Sequence, residues 1–120
     1  MKAGDLVGMM FLARDMTHSV HLNTRSYAKH MALGSFYDNI IEHADIFAEA
    51  YQGKYGLIGP IPRKSSVKSV GIVDFLQSQV DDIEKSRYDV CSEKDTTLQQ
   101  LIDNIVQEYL TTLYKLKFLS

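Results

Sequence analysis

Lys54-Tyr55-Gly56-Leu57-Ile58-Gly59-Pro60-Ile61-Pro62-Arg63-Lys64-Ser65-Ser66 is the one long stretch of this chain that reads as irregular. It holds both prolines of the sequence, each lacking a backbone donor and fixing φ, and two glycines that add further breaks. A connection of about a dozen residues is longer than a turn between adjacent antiparallel helices needs. It suits a bundle in which the helices before and after it run in the same direction, so that the chain must travel the whole length of the domain between them.

Toward the N-terminus the apolar residues recur at helical steps. Leu6, Met9, Ala13, Met16 and Val20 alternate three- and four-residue spacings, with Met10 widening the stripe, and predict helix A over roughly 4–22. Asn23 and Thr24 are good N-caps for a second helix, because their side-chain oxygens can accept from its first free amides. Helix B then runs from Arg25 to about Gln52 on Tyr27, Met31, Ala32, Phe36, Tyr37, Ile40, Ile41, Ala44, Phe47, Ala48 and Tyr51, with Gly53 placed as its C-terminal cap.

Beyond the irregular stretch, Val73, Leu76, Val80 and Ile83 mark helix C, roughly 67–89. Thr96 with Gln99 gives a capping-box pattern. Leu98, Leu101, Ile102, Ile105, Tyr109, Leu113 and Leu116 carry helix D to within a residue or two of Ser120. The expected fold is one all-α domain over residues 1–120, an antiparallel four-helix bundle with a long crossover between the second and third helices.

Composition sets limits. The chain has 120 residues, 45% apolar and 23% charged, with a formal charge of −2, which fits one domain and gives no general attraction to nucleic acid. The cluster Arg63-Lys64-Lys68 reads as solvated surface, and so does the acidic run Asp81-Asp82-Ile83-Glu84. No apolar run approaches the ~20 residues of a membrane span, and the N-terminus lacks the regions of a signal peptide. The cytoplasm is therefore the expected location, with no membrane partner. The lone Cys91 has no internal partner for a disulfide and is given no role.

Four residues in the first half point to chemistry: His18, His30, Asp45 and Glu49. On one helix, His30 and Asp45 are 15 positions apart, roughly 22 Å at ~1.5 Å per residue, beyond the reach of one metal ion. Two copies of helix B packed antiparallel about a twofold axis would bring residue 30 of one chain to residues 45–49 of the other. Two equivalent sites would then form at a homodimer interface. Imidazole and carboxylate together suit iron, zinc or manganese, imidazole binding as the neutral base.

The pattern Thr17-His18-Ser19-Val20-His21, followed by His30-x6-Tyr37-x7-Asp45-x3-Glu49, resembles Dps, the miniferritins of the ferritin-like superfamily. The likeness covers about residues 9–53. It implies a ferritin-like bundle with a subunit-interface site that binds Fe(II) and oxidises it with peroxide or oxygen, a ferroxidase, with His18, His30, Asp45 and Glu49 as metal ligands. One departure stands out: where the family pattern has a further carboxylate, four residues after the second histidine, this chain has Gly34. Asp38 or Glu42 would have to substitute, from one and two turns farther on, or the site would run on a reduced ligand set. Gly34 equally reads as room for the close approach of another helix. His21, on the same face as His18, is a candidate replacement ligand, a support to the ligands from behind, or a plain interface histidine, whereas His43 falls off the stripe and reads as exposed. Tyr27 and Tyr37 read as core or dimer-contact aromatics. The alternative function is noncatalytic: a helical bundle that serves assembly or protein contact and has lost its metal. A dimer or small oligomer is expected before a closed shell.

Overall fold

The computed structural model of the chain describes residues 1–65 and 70–120. Its elements are α1 (Ala3–Asn23), α2 (Tyr27–Tyr55), α3 (Ile72–Val90) and α4 (Thr96–Phe118), with no strand among the described residues. They form an all-α four-helix bundle of 44 × 24 × 22 Å. The 29 residues of α2, at ~1.5 Å each, span its whole long axis.

Directions follow from which side chains meet. His18 stacks on Tyr37 and His21 on His30, so α1 and α2 are antiparallel. Tyr55 bonds Asp95 and His43 bonds Glu108, so α2 and α4 are antiparallel. Arg87 with Gln99 and Tyr109 with Gln79 set α3 against α4, and Met1 with Asp89 and Met9 with Gln79 set α1 against α3. Every helix opposes both its neighbours, so α2 and α3, which do not touch, lie on a diagonal and run the same way. The segment after α2 must therefore return the chain to the other end, as its length and prolines predict.

That crossover is strapped to α1. Ile58 and Pro62 lie over Gly4, the Pro62 carbonyl lies over Gly8, and Lys64 reaches Asp5 at 2.9 Å. A Cβ on Gly8 would sit 2.5 Å from the Pro62 oxygen, so the backbone approach requires glycine there. The core between the helices is built from Leu6, Met10, Leu33, Phe36, Ile40, Phe47, Leu76, Ile83, Leu98, Ile102 and Ile105, all essentially solvent-free. Each such side chain contributes about 1.5–3 kcal/mol relative to exposure. Tyr109 is buried among them with its ring edge-on to Phe36 at 5.2 Å. Its hydroxyl donates to Gln79 Oε1 at 2.7 Å, and Gln79 Nε2 donates to the Met9 carbonyl, tying three helices through one satisfied polar chain.

Several boundaries move from their sequence positions. Asn23 ends α1, and the N-cap of α2 is Ser26, whose hydroxyl accepts from Lys29 N. Gly53 stays inside α2, which stops at Tyr55 with Gly56 at φ +93° as the cap. The Thr96–Gln99 capping box does not form. Asp95 takes the N-cap position, while Gln99 turns inward to donate to the Cys91 carbonyl. Helix α3 starts at Ile72, and the residues from 67 at which it was expected to begin fall partly outside the described residues, as does Lys68. No helix of the described residues is long and apolar enough to cross a membrane.

Candidate functional site

The link between α1 and α2 determines the site. Only residues 24–26 separate the helices, with Thr24 extended and its hydroxyl accepting from Ser26 N. So short a link folds α2 straight back on α1 and sets the last turn of one beside the first turn of the other. His18, His21, His30 and Tyr37 meet there as a ladder of rings. His18 stacks on Tyr37 at 4.2 Å, Tyr37 meets His21 edge-on at 5.2 Å, and His21 stacks on His30 at 3.8 Å with 17° between planes. All four side chains are half-buried.

The central pair is bonded reciprocally. His21 Nδ1 donates to the His30 carbonyl at 2.6 Å, and His30 Nδ1 donates to the His21 carbonyl at 2.9 Å. The second of these bonds satisfies a carbonyl in the last turn of α1, where intrahelical donors have run out. Because both acceptors are carbonyl oxygens, each neutral ring must carry its proton on Nδ1. Both Nε2 atoms then present a lone pair, and neither has a partner among the described residues.

Gly34 takes its meaning from this pair. A Cβ there would stand 3.0 Å from His21 Cε1 and 3.2 Å from His21 Nδ1. The close approach that Gly34 permits is thus made by a ring from α1 of the same chain. A side chain at this position would require the His21 ring to give by a few tenths of an ångström.

The two carboxylates lie elsewhere. Asp45 and Glu49 are exposed on the outer stripe of α2 that also carries Tyr27, Met31 and Asp38. One chain therefore joins His18 and His30 through the rings of Tyr37 and His21, and leaves Asp45 roughly 22 Å and Glu49 roughly 28 Å from His30 along the axis. No group of three or more His, Cys, Asp or Glu side chains among the described residues converges on a point that could hold a metal. Asp38 and Glu42 are exposed on the same helix.

Of the other expectations, the exposed reading of His43 and the core reading of Tyr27 are corrected. His43 is half-buried and faces α4, its Nε2 3.3 Å from Glu108 Oε1, with Asn39 beside the same carboxylate. Tyr27 is no core residue, being 75% exposed. Of the basic cluster, Lys64 is paired with Asp5 and Arg63 is exposed. In the acidic run only Ile83 is buried, and Glu84 pairs with Arg87. Cys91 is buried, with Gln99 Nε2 3.2 Å from its sulfur, and burial pushes its thiol pKa up, away from reactivity. What the sequence did not show is that His21 pairs with His30 and fills the space over Gly34. The signal was the nine-residue spacing to His30 across a tight link, with a glycine one turn beyond.

An uncharacterized 14.6 kDa protein in the mobD-ri intergenic region of Enterobacteria phage T4 is 28% identical over 119 residues, 96% of this chain and 88% of that protein. No solved structure matches the chain. The family of unknown function DUF5856 matches residues 21–116, from His21 through the crossover and almost to the end of α4. By that span, the chain belongs to the DUF5856 family.

Proposed function

We propose that the protein binds and oxidises Fe(II) at a site shared between two copies. The observation that carries this reading is the outer stripe of α2. Asp45 and Glu49 are exposed on it, and His30 stands beside its N-terminal end, half-buried against His21 of α1, with Nδ1 tied to a carbonyl and Nε2 without a partner among the described residues. A ligand imidazole oriented by a backbone carbonyl through its other nitrogen is the usual arrangement at metal sites.

Antiparallel pairing of two α2 helices, with residue 30 opposite residue 45, places the twofold axis beside Tyr37 and Asp38. Two features of the surface favour it. Tyr27 and Met31 leave apolar area exposed on the stripe, at 75% and 51%. Charge is also divided: Arg25 and Lys29 lie at the N-terminal end, and Asp38, Glu42, Asp45 and Glu49 lie beyond them. The pairing that opposes donors therefore also opposes unlike charges toward its ends, while the two Asp38 carboxylates become neighbours at the axis.

In the resulting site His18 and His30 would supply nitrogen, and Asp45 and Glu49 of the second copy would supply oxygen. Two Fe(II) ions give one electron each to a dioxygen molecule, which takes up two protons and leaves as hydrogen peroxide. The resemblance to miniferritins supports the same ligand set.

One observation favours the noncatalytic alternative. The His21–His30 pair closes its own Nδ1 hydrogen bonds and clamps α1 to α2 without any metal. Titration of the purified chain with Fe(II) under air, following ferric absorbance, separates the readings when run with His30→Ala and Asp45→Ala. The expected outcome is a loss of at least ~10-fold in rate in each variant, with a dimer or larger species by light scattering. Unchanged rates in both variants would remove the enzyme, and a strictly monomeric chain would remove the shared site.

A further inference from the structure

We propose that the cavity between α1, α3 and the crossover binds a linear aliphatic polyamine. None of its residues belongs to the shared metal site, so the inference goes beyond that reading and does not depend on it.

The cavity has a volume of about 720 Å³, within the range that small-molecule sites occupy. Its floor is apolar. Met9 and Leu12 of α1, half-buried, and Phe75 of α3, buried, all pack on the core and line it. Gln79 fixes that floor, donating to the Met9 carbonyl and accepting from the Tyr109 hydroxyl, so α1 and α3 hold their spacing without a ligand.

The polar part of the lining is one-sided in charge. Its carboxylates are Asp5, Asp74 and Asp82. Asp5 is spent on Lys64 at 2.9 Å and on the Lys2 backbone N–H, and the Met1 ammonium lies 3.9 Å from Asp89. Asp74 and Asp82 have no cationic partner among the described residues and remain the surplus negative charge of the rim.

Spacing decides which cation fits. Asp74, Ser78 and Asp82 are exposed on successive turns of α3, so carboxylate, hydroxyl and carboxylate recur about every 6 Å over roughly 12 Å. An extended triamine with propyl and butyl spacers has that repeat. Its end ammonium groups reach the two carboxylates, its central one donates to Ser78 Oγ, and its methylene spacers lie over Met9, Leu12 and Phe75. Carboxylates so far apart share no single metal ion. A neutral apolar ligand would cover them without replacing their water.

Calorimetric titration of the full chain with spermidine tests this, with circular dichroism to establish that each variant folds. The expected result is saturable binding, weakened ~3-fold or more in Asp74→Asn and in Asp82→Asn. Asp81, bonded by Gln77 on the same helix, does not line the cavity, and Asp81→Asn should leave binding unchanged. n-Octylamine, which has an apolar chain and a single charge, should bind more weakly than spermidine. Amide NMR gives a second readout: spermidine should shift Leu12, Phe75 and Ser78 and leave His21 and His30 in place.

Absence of saturable spermidine binding, or an unshifted Phe75, would overturn the inference. Equal weakening in all three variants would also overturn it, leaving only a general attraction to an acidic helix. So would octylamine binding as tightly as spermidine, which would make the cavity a purely apolar pocket.

Discussion

At residue 34 a methyl group would need the neighbouring His21 ring to give by a few tenths of an ångström, and that ring is held by one hydrogen bond and one stack. Alanine in place of a mid-helix glycine ordinarily gains about 1 kcal/mol. Here the new Cβ would lie 3.0 Å from His21 Cε1, and the ring is restrained by its stack on His30 and its bond to the His30 carbonyl. Gly34→Ala is therefore expected to yield none of that gain in the native protein and the full ~1 kcal/mol in a His21→Ala background. A double-mutant cycle by urea denaturation reads the difference as a coupling energy. Equal effects in both backgrounds would show that His21 does not set residue 34. The same pair marks the limit of what the sequence told of the site. His18, His30, Asp45 and Glu49 stand out by their spacing along the chain, which resembles the miniferritin pattern. The partnership of His21 with Gly34 depends on the register of α1 against α2, which is set by a three-residue link and not by any pattern within either helix.

Between elements, the contact most dependent on one residue is the crossover lying along α1. Gly8 faces the Pro62 carbonyl, and a backbone oxygen in a strapped segment cannot swing aside as a side-chain tip can. Gly8→Ala is expected to destabilise the bundle by about 1–3 kcal/mol despite its better helix propensity. Thermal unfolding checks this, and a raised midpoint would mean that the crossover is free to lift from α1. The existence and direction of all four helices were legible because each buries one periodic face and because both prolines fall between the second and third. Their ends were less so, since several residues compete to cap. Ser26 displaces Asn23 and Thr24 as the N-cap of α2, and α2 runs through Gly53 as far as Lys54 and Tyr55, both of which bond Asp95 at the start of α4. That last tie is tertiary, and no local propensity announces it.

Over the whole molecule, Asp95 makes the stability depend on pH from both sides. The Tyr55 hydroxyl donates to its carboxylate at 2.6 Å and the Lys54 ammonium at 2.9 Å, and together they hold the Asp95 pKa below the ordinary carboxylate range. Asp5 is lowered likewise, first by the Lys2 backbone N–H and then by Lys64. A depressed folded pKa gives stability that is present above the unfolded value of ~4 and lost as pH falls through the folded one. The same contacts raise the pKa of Lys54 and of Tyr55, the bond to Asp95 being the largest cause for each. Stability from a raised group is complete below the unfolded value, ~10 for both, and is lost as pH rises through the folded one. The melting temperature should therefore hold a plateau between about pH 5 and pH 9 and fall on either flank. In Asp95→Asn the plateau should drop and both flanks should become shallower. The acid flank keeps the share of Asp5, and the alkaline flank keeps those of Cys91 and Tyr109, whose pKa values are raised chiefly by burial. Melting curves of the two proteins from about pH 3 to pH 11 decide it. Profiles that differ only by a constant offset would mean that Asp95 caps α4 without its charge, and that α2 and α4 are held together by the core alone.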